Sequence, residues 1–222
     1  MKGSTYPEGA AMQFERLIRR AGFSSLIAAV LIIVSQFVGL IAYTSDLPLN
    51  ELVKTAPALL YNILKLAGFV LLLLGLVGLY ARQAAAGGIL GLMGFLVAFL
   101  GTVLVTGDLW FESFVVPWLT NVAPRALQVP PSGSLLASGI TGFTLFAFGW
   151  VLFGIASFRA RVFPRWASIV VIIGGVLGFL AGYPPFLIIL ALGVGWMGYW
   201  LQKHGESIRD VETVKMYLEV ER

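Results

Sequence analysis

Apolar residues in this chain fall into long blocks separated by short polar or proline-rich breaks. Six blocks stand out, at residues 21–43, 58–80, 87–107, 135–158, 167–182 and 186–202. A helix needs about 20 residues, at 1.5 Å of rise each, to cross a hydrocarbon core about 30 Å thick. The last two blocks lie near the short limit and are joined by Gly182-Tyr183-Pro184-Pro185. They are read as two spans, with one re-entrant hairpin as the alternative. Apolar composition alone would also suit buried strands, but block length and small-residue spacing favour helix. The first block exceeds the roughly 7–15 residues of a signal-peptide core, and no A-x-A site follows it, so it is read as a retained span.

The expected fold is therefore all-α: a polytopic membrane bundle of six transmembrane helices. Residues 1–22 form a basic amphipathic arm, residues 23–202 the six-helix domain, and residues 203–222 a tail. Composition agrees. Of 222 residues, 59% are hydrophobic and 12% charged, against about 25% charged in a soluble domain. Too few polar groups exist to cover a water-soluble surface. A simple soluble domain, a disordered chain and a coiled coil are all excluded.

Lys and Arg set the orientation. Twelve fall on one side: Lys2, Arg16, Arg19, Arg20, Arg82, Arg159, Arg161, Arg165, Lys203, Arg209, Lys215 and Arg222. Only Lys54 and Arg125 fall on the other, with Lys65 inside the second block. Both termini are expected on the cytoplasmic side, which requires an even number of spans. Tyr43, Tyr61, Trp110, Trp118 and Tyr183 then lie near the outer interface, and Tyr80, Trp166, Tyr199 and Trp200 near the inner one.

Small residues give close helix contacts in lipid. Gly174, Gly178 and Gly182 repeat every four residues, a face read as a seam within the bundle, with homodimerisation as the sharper alternative. A weak repeat pairs Gly68-Phe69 and Gly75 with Gly142-Phe143 and Gly149 at an offset of 74, and Gly101 with Gly178 at 77.

Outside the blocks, the outer connection 108–134 is dense in Trp110, Phe111, Phe114, Val115 and Trp118. It suits a short interfacial helix, either a resting connector or a lid. The arm places Phe14, Leu17, Ile18 and Ala21 on one side and Arg16, Arg19 and Arg20 on others, as for a helix on an anionic leaflet; it is not read as a nucleic-acid site. The tail suits a helix through Ile208, Val211, Val214 and Leu218. A strand through Val214, Met216, Leu218 and Val220 is the alternative.

Chemistry is sparse. There is no cysteine and one histidine, His204, which excludes disulfides, thiolate metal sites and a His-rich metal centre. No catalytic set, metal site or phosphate-binding loop is found. Lys65 is the one charge placed well inside a span, where charge is costly and marks function by default. Its stem is expected to snorkel outward. The alternative is a pair with Asp108 or Glu112, with Tyr61 and Asn62 on the same helix face, forming a site for a polar headgroup or a proton. Phe143, Phe146, Trp150 and Phe153 make an aromatic stripe, read as lipid contact or core. Facing inward, it would line a slot for a quinone, carotenoid or acyl chain.

The strings Gly78-Leu79-Tyr80-Ala81-Arg82-Gln83, Trp110 through Phe114 to Pro117 with Ala123-Pro124, and Phe163-Pro164-Arg165-Trp166 resemble small, uncharacterised bacterial integral membrane proteins of several spans. The resemblance covers about half the chain. It implies a bacterial inner-membrane location, and no known activity or functional residue. The leading expectation is a non-enzymatic accessory or interaction subunit that binds lipid, with no cofactor beyond lipid, pigment or quinone. Its partners would be membrane lipids and a larger complex or a second copy. A small carrier of an amphipathic solute using Lys65 is the runner-up, and a lipid-modifying enzyme comes third.

Overall fold

A computed structural model describes residues 8–44 and 47–204, the side chains of residues 8–15 and Leu49 excepted. The tail beyond His204 lies outside the described residues. Every regular element among the described residues is helical: α1 (Glu8–Ala42), the single turn α2 (Leu49–Leu52), α3 (Ala56–Trp110), α4 (Val116–Val122), α5 (Gly133–Ala160), α6 (Arg165–Leu177) and α7 (Leu187–His204). Three stretches, Arg16–Ala42, Ala56–Val122 and Gly133–Ala160, are long and apolar enough to cross a membrane. Arg165–Leu180 is a shorter apolar helix.

From Glu8 onward the arm and the first apolar block form one unbroken helix, with Ile18 buried and Leu17 exposed beside it. α3 is not one rod. Gly88 stands at φ 53° and ψ −150°, a region that side-chain-bearing residues essentially never occupy. On a straight helix Tyr80 and Phe95 would lie about 22 Å apart at 1.5 Å per residue. Their rings instead stack with centroids 4.2 Å apart. The chain therefore folds back at Gly88 into two antiparallel arms.

The second arm does not stop where the third apolar block ends. It runs on through a π-helical turn, Phe111–Val115, into α4. Pro117 supplies the reason. It has no N–H to give the Ser113 carbonyl, and its ring would collide with that carbonyl in a regular α-helix. The wider turn avoids the clash, and the Val116 N–H reaches back to the Phe111 carbonyl. Residues 89–122 thus make a rod about 50 Å long. The first fifteen residues of the expected outer connection belong to this rod, followed by a 3₁₀ turn at Pro124–Gln128.

Helices pack through glycines whose absent Cβ lets a neighbour in. Gly68 faces Ile32, Gly75 faces Ser25 and Gly78 faces Ala21, joining the first arm to α1. Gly94 faces Phe153 and Gly101 faces Phe146, joining the second arm to α5. Gly154 meets Ile172 and Gly175 meets Val151 between α5 and α6, and Gly174 meets Leu190 between α6 and α7. Gly22 meets Gly198, and Gly195 meets Ala29, closing the ring between α7 and α1. In each pair the contact numbers rise on one helix as they fall on the other, so all neighbours are antiparallel. The start of α1 and the end of α7 share one end of the bundle. Phe69, Leu72, Leu76, Leu79, Phe146, Trp150 and Phe153 fill the centre.

Gly174 and Gly178 are covered by Leu190 and by Phe146 of the same chain, as in a seam within the bundle. The weak repeat finds partial echo. Gly75 and Gly149 each press on the preceding rod, at Ser25 and Ala98, whereas Gly101 and Gly178 both meet Phe146.

Candidate functional site

Polar side chains collect at the end of the bundle away from the termini. Thr55 caps the first arm of α3, its hydroxyl accepting from the Ala58 N–H at 3.4 Å, with Pro57 in the first turn. That start places Tyr61, Asn62 and Lys65 on the inward face one turn apart. Lys65 is 1% exposed. Its ammonium donates to the Tyr61 hydroxyl at 3.0 Å, and that hydroxyl donates to the Gly182 carbonyl at 3.3 Å. The lysine does not snorkel to the surface as expected. It runs toward the same end of the bundle, but inside, where the Tyr61 oxygen accepts one of its three N–H groups.

The two carboxylates arrive from the other arm. Asp108 lies in its last α-helical turn and Glu112 in the π turn, at the Lys65 end of the bundle. They are 43 or more residues away in sequence, and the reversal at Gly88 brings them back. The five residues singled out in sequence, Lys65, Asn62, Tyr61, Asp108 and Glu112, thus belong to one end of one bundle.

Two members, Gln36 and Tyr43, were not foreseen. Gln36 of α1 is fully buried, with its amide close enough to the Tyr61 hydroxyl to interact with it but in no hydrogen bond of standard geometry. The Asn62 carbonyl oxygen is likewise buried and unbonded. Tyr43, read in sequence as an interface anchor, meets Tyr61 edge-on at 5.7 Å. The signal for Gln36 was present: it is an amide inside an apolar block. Gly39 makes the arrangement possible, since a Cβ there would lie 2.7 Å from the Tyr61 ring. Gly182 contributes its carbonyl rather than a packing face.

The aromatic stripe faces inward, and protein already covers it. Phe146, Trp150 and Phe153 are fully buried and Phe143 partly so. Phe146 and Phe153 lie on Gly101 and Gly94, Phe69 stacks on Phe146 at 5.5 Å, and Trp150 Nε1 donates to Thr102 at 3.2 Å. The central gap between Ala29, Ile32, Phe69, Leu72, Leu187, Leu190, Ala191 and Val194 is too tight for a water molecule.

At the opposite end Ser157 donates to Gln83 at 2.6 Å. The Arg82 guanidinium lies 5.8 Å from the Trp200 ring, which stacks on His204 at 4.7 Å. The one histidine is therefore remote from the Lys65 cluster. No three His, Asp or Glu side chains gather for a metal among the described residues. No family model, curated protein or solved structure matches this chain.

Proposed function

We propose that the chain is a six-span protein of a bacterial inner membrane, with both termini cytoplasmic. We read it as a non-enzymatic accessory subunit that holds the polar head of an amphipathic molecule at the outer end of its bundle. One observation carries this reading: the buried Lys65 ammonium, bonded to Tyr61, in a cluster whose Gln36 and Asn62 amides have unused hydrogen-bonding capacity. Buried polar groups are normally satisfied, so unused donors and acceptors point to a partner. The cluster lies where a headgroup sits if the chain spans the bilayer.

The membrane reading is supported by the outward surface. Phe37, Ile41, Leu74, Ile89, Leu100 and Phe148 are among many exposed large apolar side chains, and extensive apolar surface is rare on water-soluble monomers. Six antiparallel rods leave the basic ends, Arg16–Arg20, Arg82, Arg159–Arg165 and Lys203, together at one end, as the excess of positive charge on the cytoplasmic side requires. A carrier of the same molecule is the second reading. The π turn that Pro117 imposes holds Glu112, and such turns are frequent at functional sites.

The test is native mass spectrometry of protein extracted in mild detergent. Wild type and Lys54→Met should retain an amphipathic adduct that Lys65→Met loses. Wild type free of any such adduct would overturn the proposal. Flux of the adduct in liposomes containing the pure protein would favour the carrier.

A further inference from the structure

Resting on that reading, we infer that the gap between the second arm and the start of α5 is a side entrance, through which an amphiphile of the outer leaflet brings its head to the Lys65 cluster. Lower down, these two helices share a seven-residue pattern. Gly94 meets Phe153, Ala98 meets Gly149 and Gly101 meets Phe146. Seven residues are close to two full turns. Asp108 and Glu112 therefore continue the packed face of the second arm, and Gly139 and Leu135 continue that of α5. Carried on at the same register, the seam would set Gly139 on Asp108 and Leu135 on Glu112.

The helices part instead. The last glycine contact of the seam is Gly142 against Leu104 Cβ at 3.4 Å. A Cβ on Gly139 would meet nothing within 4 Å, and Leu135 is 54% exposed. Residues 133–138, 140 and 141 are all exposed, so the first turns of α5 stand free of the bundle. The change of chemistry along the second arm gives the reason. Glycine and alanine give way to two carboxylates, and packing Leu135 on Glu112 would desolvate a polar group without returning a hydrogen bond. The rest of that end is packed. Gly39 lies on the Tyr61 ring, Tyr43 meets the ring edge-on, and the Tyr61 hydroxyl is bonded to Gly182, whose missing Cβ would lie 3.8 Å from Phe143. Lys65 is 1% exposed and Gln36 fully buried, so a head that reaches them must pass between helices. The parting of α5 is the seam that packing leaves open, and it opens sideways, toward lipid if the chain spans the bilayer.

The experiment uses single-cysteine forms of the full chain, which has no cysteine of its own. Gly139→Cys places a thiol in the gap. Gly107→Cys places one in equally open space, but roughly 120° around the second arm from Gly101 at 100° per residue. Both positions have room for a Cβ, so both variants should fold, and each is labelled after folding with a bulky pyrene maleimide. Delipidated protein in detergent then takes up lipid from micelles of phosphatidylethanolamine and phosphatidylglycerol, and native mass spectrometry follows bound lipid with time. Labelling Gly139→Cys should slow uptake about tenfold, since a blocked entrance lowers the association rate and leaves the contacts of the site alone. Labelling Gly107→Cys should leave the rate unchanged. A thiol at position 139 that does not react, an unchanged rate after labelling there, or equal slowing at both positions overturns the side entrance and leaves the lipid-site reading standing. Unlabelled proteins that bind neither lipid above the level seen with Lys65→Met overturn the underlying reading as well.

Discussion

Replacing Gly88 by alanine tests the turn on which both the bundle and the site depend. No atom lies within 4 Å of the Cβ that alanine would add, so packing opposes nothing. The opposition is conformational: φ 53° and ψ −150° is costly for any residue with a Cβ, by about 1–3 kcal/mol. Gly87 is the internal control. It also has room, its nearest neighbour being Gln83 Cγ at 4.0 Å, but it lacks a positive φ. Alanine there should stabilise by about 0.5–1 kcal/mol through helix preference. The two variants should then differ by about 1.5–4 kcal/mol, or roughly 10- to 1,000-fold in the folded ratio at 1.4 kcal/mol per decade. Equilibrium unfolding in mixed micelles, followed by tryptophan fluorescence, measures the difference; Trp150, fully buried, is a suitable reporter. Gly88→Ala as stable as Gly87→Ala would refute the backbone reversal at residue 88.

Further outcomes follow from the same geometry. Tyr61→Phe removes the acceptor of a buried ammonium and should destabilise by about 1–3 kcal/mol. In a Lys65→Met background the same change should cost under about 1 kcal/mol, and an unchanged cost in this double-mutant cycle would contradict the Lys65–Tyr61 bond. Gly94→Ala would put its Cβ 2.8 Å from the Phe153 nitrogen and 3.0 Å from the Leu152 carbonyl carbon. That backbone overlap should cost about 1–3 kcal/mol, whereas Gly107→Ala, which meets nothing within 4 Å, should be neutral or stabilising in thermal unfolding. The native chain has no cysteine, so Tyr80→Cys with Phe95→Cys should be the sole thiol pair and should cross-link with a short bis-maleimide. Failure to cross-link in the folded protein would separate the two arms.

Much of the helical pattern was legible because apolar blocks of spanning length leave few other structures available. The glycine seams were legible in kind, since small residues at regular spacing permit close approach. Their partners were not. Gly174 and Gly178 belong to different interfaces, with α7 and α5, and only tertiary packing decides that. The extent of the second arm was missed because Pro117 reads as a helix breaker. A π turn absorbs the proline, and the helix continues to Val122.

The site was half legible. Lys65 stands out as a charge in an apolar block, and its spacing from Tyr61 and Asn62 fixes a shared face. That Asp108 and Glu112 reach the same end follows from a reversal between the second and third blocks. Whether the lysine turns inward could not be read from spacing. It depends on Gly39 leaving room for the Tyr61 ring, and on the Gly182 carbonyl receiving its hydroxyl. Gln36 was overlooked because a lone amide carries no charge, although its burial without a partner says most about a ligand.

The central claim is that the Lys65 cluster is a headgroup site, and an experimental density map of the full chain in lipid nanodiscs tests it most directly. The account predicts ordered amphiphile density with its polar end within hydrogen-bond distance of Lys65 Nζ and the Gln36 amide. A map in which Gln36 and Asn62 bond only to protein, and Lys65 is sealed in an ion pair with Glu112, would contradict it.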